Sequence, residues 1–272
     1  MDVSLSSLMI VGGLALVCQY VAVSTGAGYG TPLTPLLLIV GLHPLHIVPA
    51  VLLSQLVGGV VGGIAHHRAG NLDLDFRRDE QIKKRLRGLG YLPRSFDSKV
   101  VFALTILGIA GVLIGVVVAV SVSEIVLQTY IGVLILAVGL KSILERTRTP
   151  VFSWKTLLAL GIVGAFNKGM SGAGYVPMIT GGQLVSGREV KNSVASTTVT
   201  VAIVCAAGFL GYLFINGNID WAISAAATVG AVVAAPFGAL TVKKANTGSL
   251  KLAIGIAIMI LGALTLIKTF VL

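Results

Sequence analysis

Read for its hydrophobic and polar positions, the chain is a series of apolar runs broken by short polar ones. The runs cover residues 5–23, 31–41, 45–65, 99–120 and 124–143, then 154–166, 176–185, 190–215, 221–242 and 250–270. Runs near 20 residues match the ~30 Å hydrocarbon thickness of a bilayer at about 1.5 Å per helical residue. The short runs, 31–41 and 176–185, reach only about half way. Each set of five reads long, short, long, long, long. The expected fold is an all-α integral membrane protein. A kink is expected at Pro49, and the glycine pairs Gly58-Gly59 and Gly62-Gly63 are read first as close-packing positions between helices.

Composition supports that reading. The 272 residues are 56% hydrophobic and 11% charged, where an ordinary soluble domain carries roughly 25% charged residues. The net charge is +10, and nine of the 20 Lys and Arg lie between His66 and Lys99. This polar segment is the signature of a cytoplasmic loop and lacks the interleaved aromatics of a nucleic-acid binder, so no nucleic-acid partner is expected. The stretch from Arg77 to Arg87 is read as a short surface helix able to touch anionic lipid. The start, Met1-Asp2-Val3-Ser4, has no basic leader, and no cleaved signal peptide is expected. Cys18 and Cys205 stand alone in apolar runs, which argues against a disulfide or a cysteine-based zinc site. No cofactor and no enzymatic activity are expected.

Both short runs follow nearly the same glycine-rich break. One reads Ser24-Thr25-Gly26-Ala27-Gly28-Tyr29-Gly30-Thr31-Pro32 and the other Met170-Ser171-Gly172-Ala173-Gly174-Tyr175-Val176-Pro177. Glycines open backbone conformations closed to other residues, and a Pro just beyond them is tolerated in the first turn of a helix. A helix start inside a membrane presents free N–H groups and a partial positive charge, both suited to an anion.

The echo extends along the chain. Tyr29 and Tyr175 are 146 positions apart, Ser54 falls on Thr200 at the same offset, and Gly70-Asn71-Leu72-Asp73 matches Gly217-Asn218-Ile219-Asp220 at 147. Residues 1–145 and 146–272 are therefore read as two repeats. Five segments per repeat is odd, so the second copy is expected to be inverted. Charge tests this separately. The loop 66–99 holds nine Lys and Arg, and its counterpart 216–220 holds none; the turn 121–124 holds none, and its counterpart 243–251 holds three. With basic loops inside, both termini lie outside. Inverted repeats with interrupted helices are a transporter architecture whose solute sites lie at the breaks.

The candidate solute site comprises Ser24, Thr25, Gly26, Gly28, Tyr29 and Thr31 from the first break. From the second it takes Asn167, Lys168, Ser171, Gly172, Gly174 and Tyr175. Hydroxyls, an amide and backbone N–H groups are the donors an oxyanion needs; the competing role is glycine packing with a helix cap. Lys168 is either a functional cation or a side chain snorkelling to an interface. Ser54, Gln55, Thr197, Thr198 and Thr200 are weaker candidates for lining a pathway, since Ser and Thr in membrane helices often bond back to their own backbone. Asn71, Asp73, Asn218 and Asp220 are read as helix caps. His43 and His46 are placed on the opposite membrane side from His66 and His67, which argues against a shared metal site. No carboxylate lies deep in an apolar run.

The duplicated Gly-Ala-Gly-Tyr…Pro segments, the two-part layout and the length resemble the sulfite exporter TauE/SafE family of membrane transporters. The resemblance implies export of a sulfur-containing anion, such as sulfite, thiosulfate or an organosulfonate, across a prokaryotic plasma membrane. Transport of another small anion, a passive anion channel, and a membrane enzyme using its histidines for a cofactor are the alternatives.

Overall fold

In a computed structural model, residues 5–78, 91–144, 153–185, 188–241 and 247–271 are described. The first set of helices is α1 (Leu5–Thr25), α2 (Gly30–Val40), α3 (Pro44–Arg68), α4 (Phe96–Ser121) and α5 (Glu124–Leu144). The second is α6 (Trp154–Ser171), α7 (Tyr175–Val185), α8 (Val190–Ile215), α9 (Trp221–Thr241) and α10 (Thr247–Val271). Among the described residues six of these, α1, α3, α4, α5, α8 and α9, are long and apolar enough to cross a membrane. The protein is a multi-pass helical membrane protein.

Local chemistry sets the boundaries. Gly41 ends α2 in the left-handed conformation, and the Lys268 ammonium of α10 donates to the Leu38 and Ile39 carbonyls at 2.6 and 3.1 Å. A cation there satisfies carbonyls that a helix end leaves bare. His43 caps α3 by accepting from the Leu45 N–H, Ser95 caps α4 and Ser153 caps α6. Asp220 caps α9, its Oδ1 accepting from Ile223 N–H at 3.0 Å.

Three expectations change. The basic stretch opens as a strand rather than a helix: β1 (Phe76–Arg78) pairs antiparallel with β2 (Tyr91–Pro93). Three residues are too few to show a strand's two-residue period, and their partner lies far along the chain. The rest of that stretch, 79–90, and Lys243 and Lys244 lie outside the described residues. Asn71 is no helix cap; it is buried and its amide donates to the Ala239 carbonyl at 3.1 Å, with His66 Nδ1 also at 3.1 Å. Asp73 caps nothing either, since Ser95 already fills that position and the Asp73 N–H donates to Asp97.

Close glycine contacts give the helix directions. Gly230 of α9 packs on the Gly12 carbonyl of α1, and Gly238 on Val23. Gly58 of α3 faces Gln19 and Ala231, and Gly62 faces Val23 and Ala235. Helices α1, α3 and α9 thus run the same way. Gly111 and Gly115 of α4 pack on the Ile162 and Phe166 carbonyls of α6, while Gly108 meets Val204 and Gly208 meets Val112. Helices α4, α6 and α8 therefore also share a direction. The two triplets are antiparallel, because Gly59 and Gly63 meet Ala202 and Val199 while Leu52 meets Gly208. Helix α5 is antiparallel to α10, with Gly132 against Leu266 and Gly139 against Met259. The α3 glycines are packing positions, as read from the sequence.

Candidate functional site

Helix α2 joins α3 through three residues and therefore runs back against α3 and α1. Helices α1 and α2 thus form a hairpin that doubles back inside the bundle, and α6 and α7 form a second. Both tips turn by the same local device. Thr25 Oγ1 donates to the Val21 carbonyl at 2.6 Å and accepts from Ala27 N–H at 3.2 Å. Ser171 Oγ donates to the Asn167 carbonyl at 2.7 Å and accepts from Ala173 N–H at 3.1 Å. Gly26 and Gly28 have φ of 75° and 89°, and Gly172 and Gly174 have 69° and 84°. Residues with a β-carbon avoid such angles, so the Gly-Ala-Gly spacing makes the reversal.

The tips meet. A β-carbon built on Gly30 would fall 1.7 Å from the Gly172 carbonyl oxygen, and one on Gly28 would fall 2.8 Å from Pro177 Cδ. Only hydrogen fits between the strands of backbone here. Around the contact the residues are buried: Ser24, Thr25, Tyr29, Thr31, Asn167, Lys168, Ser171 and Tyr175. The two breaks separated by 146 positions in sequence are one place in the fold.

Several predicted donors have committed their protons. Ser24 Oγ donates to Val21 O at 3.3 Å, and Thr25 and Ser171 donate as described. Ser54, Thr197, Thr198 and Thr200 each donate to the carbonyl four residues back, at 2.7–2.8 Å. Thr198 packs in the α3–α8 seam against Gly62. Tyr29 donates to Ser54 Oγ at 2.8 Å, whereas the Tyr175 hydroxyl is buried with no hydrogen-bond partner. The two tyrosines therefore respond differently to loss of the hydroxyl. Tyr29→Phe is expected to destabilise by about 1 kcal/mol, the usual net value of such a bond, while Tyr175→Phe is expected to be neutral in thermal unfolding.

Lys168 is 1% exposed and does not snorkel. Helix α6 continues five residues beyond its predicted end at 166, so Asn167, Lys168 and Ser171 ride its last turn. The polar run looked like a loop, but each residue finds its partner inside. The Lys168 ammonium donates to the Gly172 carbonyl at 2.5 Å and to Gln55 Oε1 of α3. Cys205 Sγ lies 3.9 Å from the same Gln55 oxygen. A cation at a helix C-terminus is favourably placed, and among the described residues no carboxylate pairs with it. Asn167 accepts from the Tyr130 hydroxyl of α5. In the first tip the position matching Lys168 is Ala22.

Sequence reasoning missed two threonines. Thr34 and Thr180 are both buried, and neither hydroxyl has a hydrogen-bond partner. Their spacing is again 146, the signal that would have found them. It also missed an ion pair at one end of the bundle. Arg188, between α7 and α8, bonds Asp97 at the start of α4; the side chains are 11% and 6% exposed. Asp97 Oδ2 accepts from the Asp73 N–H at 3.0 Å and from Asn192 Nδ2 at 3.5 Å. Arg188 also donates to Gln183 and lies 4.9 Å from the Phe96 ring centroid. Burial pulls the guanidinium below its usual range, and the neighbouring Asp97 carboxylate offsets only part of that. At the other end, where α3 begins, His43 pairs with Glu124 at 3.1 Å and His46 with Asp220 at 4.0 Å. His66 and His67 sit in the last turn of α3, at its far end.

Comparison with known proteins gives two matches. A family model described as Sulfite exporter TauE/SafE matches residues 87–265. YtnM of Bacillus subtilis (strain 168), described as a probable membrane transporter protein, is 25% identical over 281 residues, spanning 98% of this chain and 85% of its own. No solved structure matches the chain.

Proposed function

Because the chain belongs to the sulfite exporter TauE/SafE family of membrane transporters, we propose that it moves a small sulfur-containing anion, such as sulfite, thiosulfate or an organosulfonate. The transport is secondary, directed out across the plasma membrane, by alternating access around the meeting hairpin tips. The observation that carries this reading is the contact of the Gly30 and Gly172 tips, each bearing a helix start. Backbone breaks in a bilayer are costly unless buried in protein or lining a polar path, and these are buried.

Two inverted repeats, 1–145 and 146–272, account for the helix directions. Under that pairing α1, α3 and α4 correspond to α6, α8 and α9, and every corresponding pair is antiparallel, as are α5 and α10. The packing partners exchange in the same way, since α1 with α9 mirrors α6 with α4. The basic segment 66–99 faces the cytoplasm in this scheme, with both termini outside. The Asp97–Arg188 pair then closes the cytoplasmic end, and the two histidine–carboxylate pairs close the outer end.

The solute donors are the freed N–H groups of the tips, the Tyr175 hydroxyl and the Lys168 ammonium. Gly26, Gly28, Gly172 and Gly174 let backbone approach the solute, and Thr25, Ser171 and Asn167 hold the tips in shape. The direct seating of one tip on the other favours a carrier over a passive channel, because the path opens only when the hairpins part.

The test is uptake by proteoliposomes across sulfite, thiosulfate, taurine, sulfoacetate, sulfate, phosphate and chloride. Saturable uptake with counterflow is expected for a sulfur anion. Lys168→Met is expected to weaken it at least tenfold, as for loss of a charge-assisted bond. Large unitary currents without counterflow would replace the carrier with a channel. Wild-type activity in Lys168→Met, Ser171→Ala and Tyr175→Phe would move the site elsewhere.

A further inference from the structure

We infer that Thr34 and Thr180, one from each hairpin, are solute-coordinating residues whose hydroxyls bind the oxygens of the transported oxyanion. This rests on the transport reading above and names a part of the site outside the glycine-rich motifs. Both residues lie on the half-helices that follow the breaks, at positions 146 apart. Thr34 and Thr180 are 0% and 2% exposed, and both hydroxyl oxygens are without partners.

That state separates the pair from the hydroxyls that shape the breaks and the neighbouring helices. Thr25, Ser54, Ser171, Thr197, Thr198 and Thr200 all return their protons to the backbone. An unmade hydrogen bond on a buried hydroxyl costs free energy, and such groups call for a specific explanation. The Thr31, Thr105, Tyr175, Ser193 and Ser224 hydroxyls also lack partners, but no two of them stand at matching positions in the two halves, as Thr34 and Thr180 do.

The placement points at the tips. Thr34 Oγ1 lies 3.2 Å from where a β-carbon on Gly172 would sit, and Thr31 Oγ1 lies 2.9 Å from the same position on Gly28. Thr180 lays its methyl against Gly26, at 2.6 Å from the β-carbon position there. Each threonine of the symmetric pair thus reaches across to the turning glycine of the opposite hairpin. A solute that parts the tips must pass through this seam. Hydroxyls there donate to an oxyanion without adding charge, which suits a site that already holds the Lys168 ammonium. The matched placement also lets one donor follow each hairpin as the tips separate.

The experiment measures binding of sulfite, thiosulfate and methanesulfonate to the purified full-length protein, with Thr34→Val, Thr180→Val, Thr34→Ser and Thr180→Ser. Valine keeps the shape and removes the donor. Each Val variant is expected to lose about tenfold or more in affinity for the anion that wild type binds, with its unfolding midpoint unchanged because no protein bond is lost. The Ser variants are expected to keep the affinity, and Thr105→Val is expected to match wild type. Ala variants serve in place of any Val variant that fails to fold. Wild-type affinity in both donor-free variants overturns the inference while leaving the transport reading intact. Failure of the wild-type protein to bind any of the three anions overturns both.

Discussion

Gly30→Ala will remove most of the folded, active protein. The added methyl would fall 1.7 Å from the Gly172 carbonyl oxygen, 2.7 Å from the Gly172 carbonyl carbon and 3.0 Å from Val51 Cγ1. Neither hairpin tip can yield by rotating a side chain, because the clash is with backbone. The expected destabilisation lies at or above the upper end of the roughly 1–3 kcal/mol range for overpacked interiors. Thermal unfolding of the detergent-purified protein should show a much lower midpoint, with transport lost in any fraction that survives. Gly13→Ala is the control, since nothing lies within 4 Å of its added carbon, and an Ala in place of a helical Gly is mildly stabilising. A Gly30→Ala protein with the wild-type midpoint and transport would mean that the tips do not touch.

Arg188→Ala is the second large effect. The Arg188–Asp97 pair is nearly enclosed, and removing one partner of a buried pair typically costs about 3–5 kcal/mol because the other charge is stranded. Among the described residues, Asp97 would keep its bonds from the Asp73 N–H and Asn192. The double variant Arg188→Met with Asp97→Leu should recover a large part of the loss, since an apolar pair of similar volume is often tolerated. A double-mutant cycle on unfolding midpoints measures the coupling. If the two single losses simply add, the pair contributes nothing as a pair. In the alternating-access scheme the same cycle, read in transport, reports whether opening the cytoplasmic end requires this bond to break.

Much of the architecture was legible because bilayer thickness writes itself into segment length. The run 190–215 coincides with α8, and the order long, short, long, long, long recurs as read. The glycine breaks were legible too, because a left-handed turn leaves few residue types available. What escaped was whatever depends on a partner far along the chain. The last turn of α6 looked polar and irregular until Gln55 and Tyr130 supplied its partners. The β1–β2 pairing and the Asp97 cluster join residues whose spacing carries no period. Thr34 and Thr180 escaped for a different reason: in sequence a threonine that keeps its proton from the backbone looks the same as one that surrenders it.

The pairing of Lys168 with Ala22 has a consequence for kinetics. If the two hairpins are inverted copies, a machine built from equivalent copies would greet its cargo identically from either compartment. Here the tip ammonium, that of Lys168, rides on one copy alone, so the outward- and inward-facing forms are not mirror images. Half-saturation measured from the cytoplasmic side should then differ from that measured from outside, while the final concentration ratio, fixed by the driving gradient, stays the same. Replacing Lys168 should bring the two half-saturation values together.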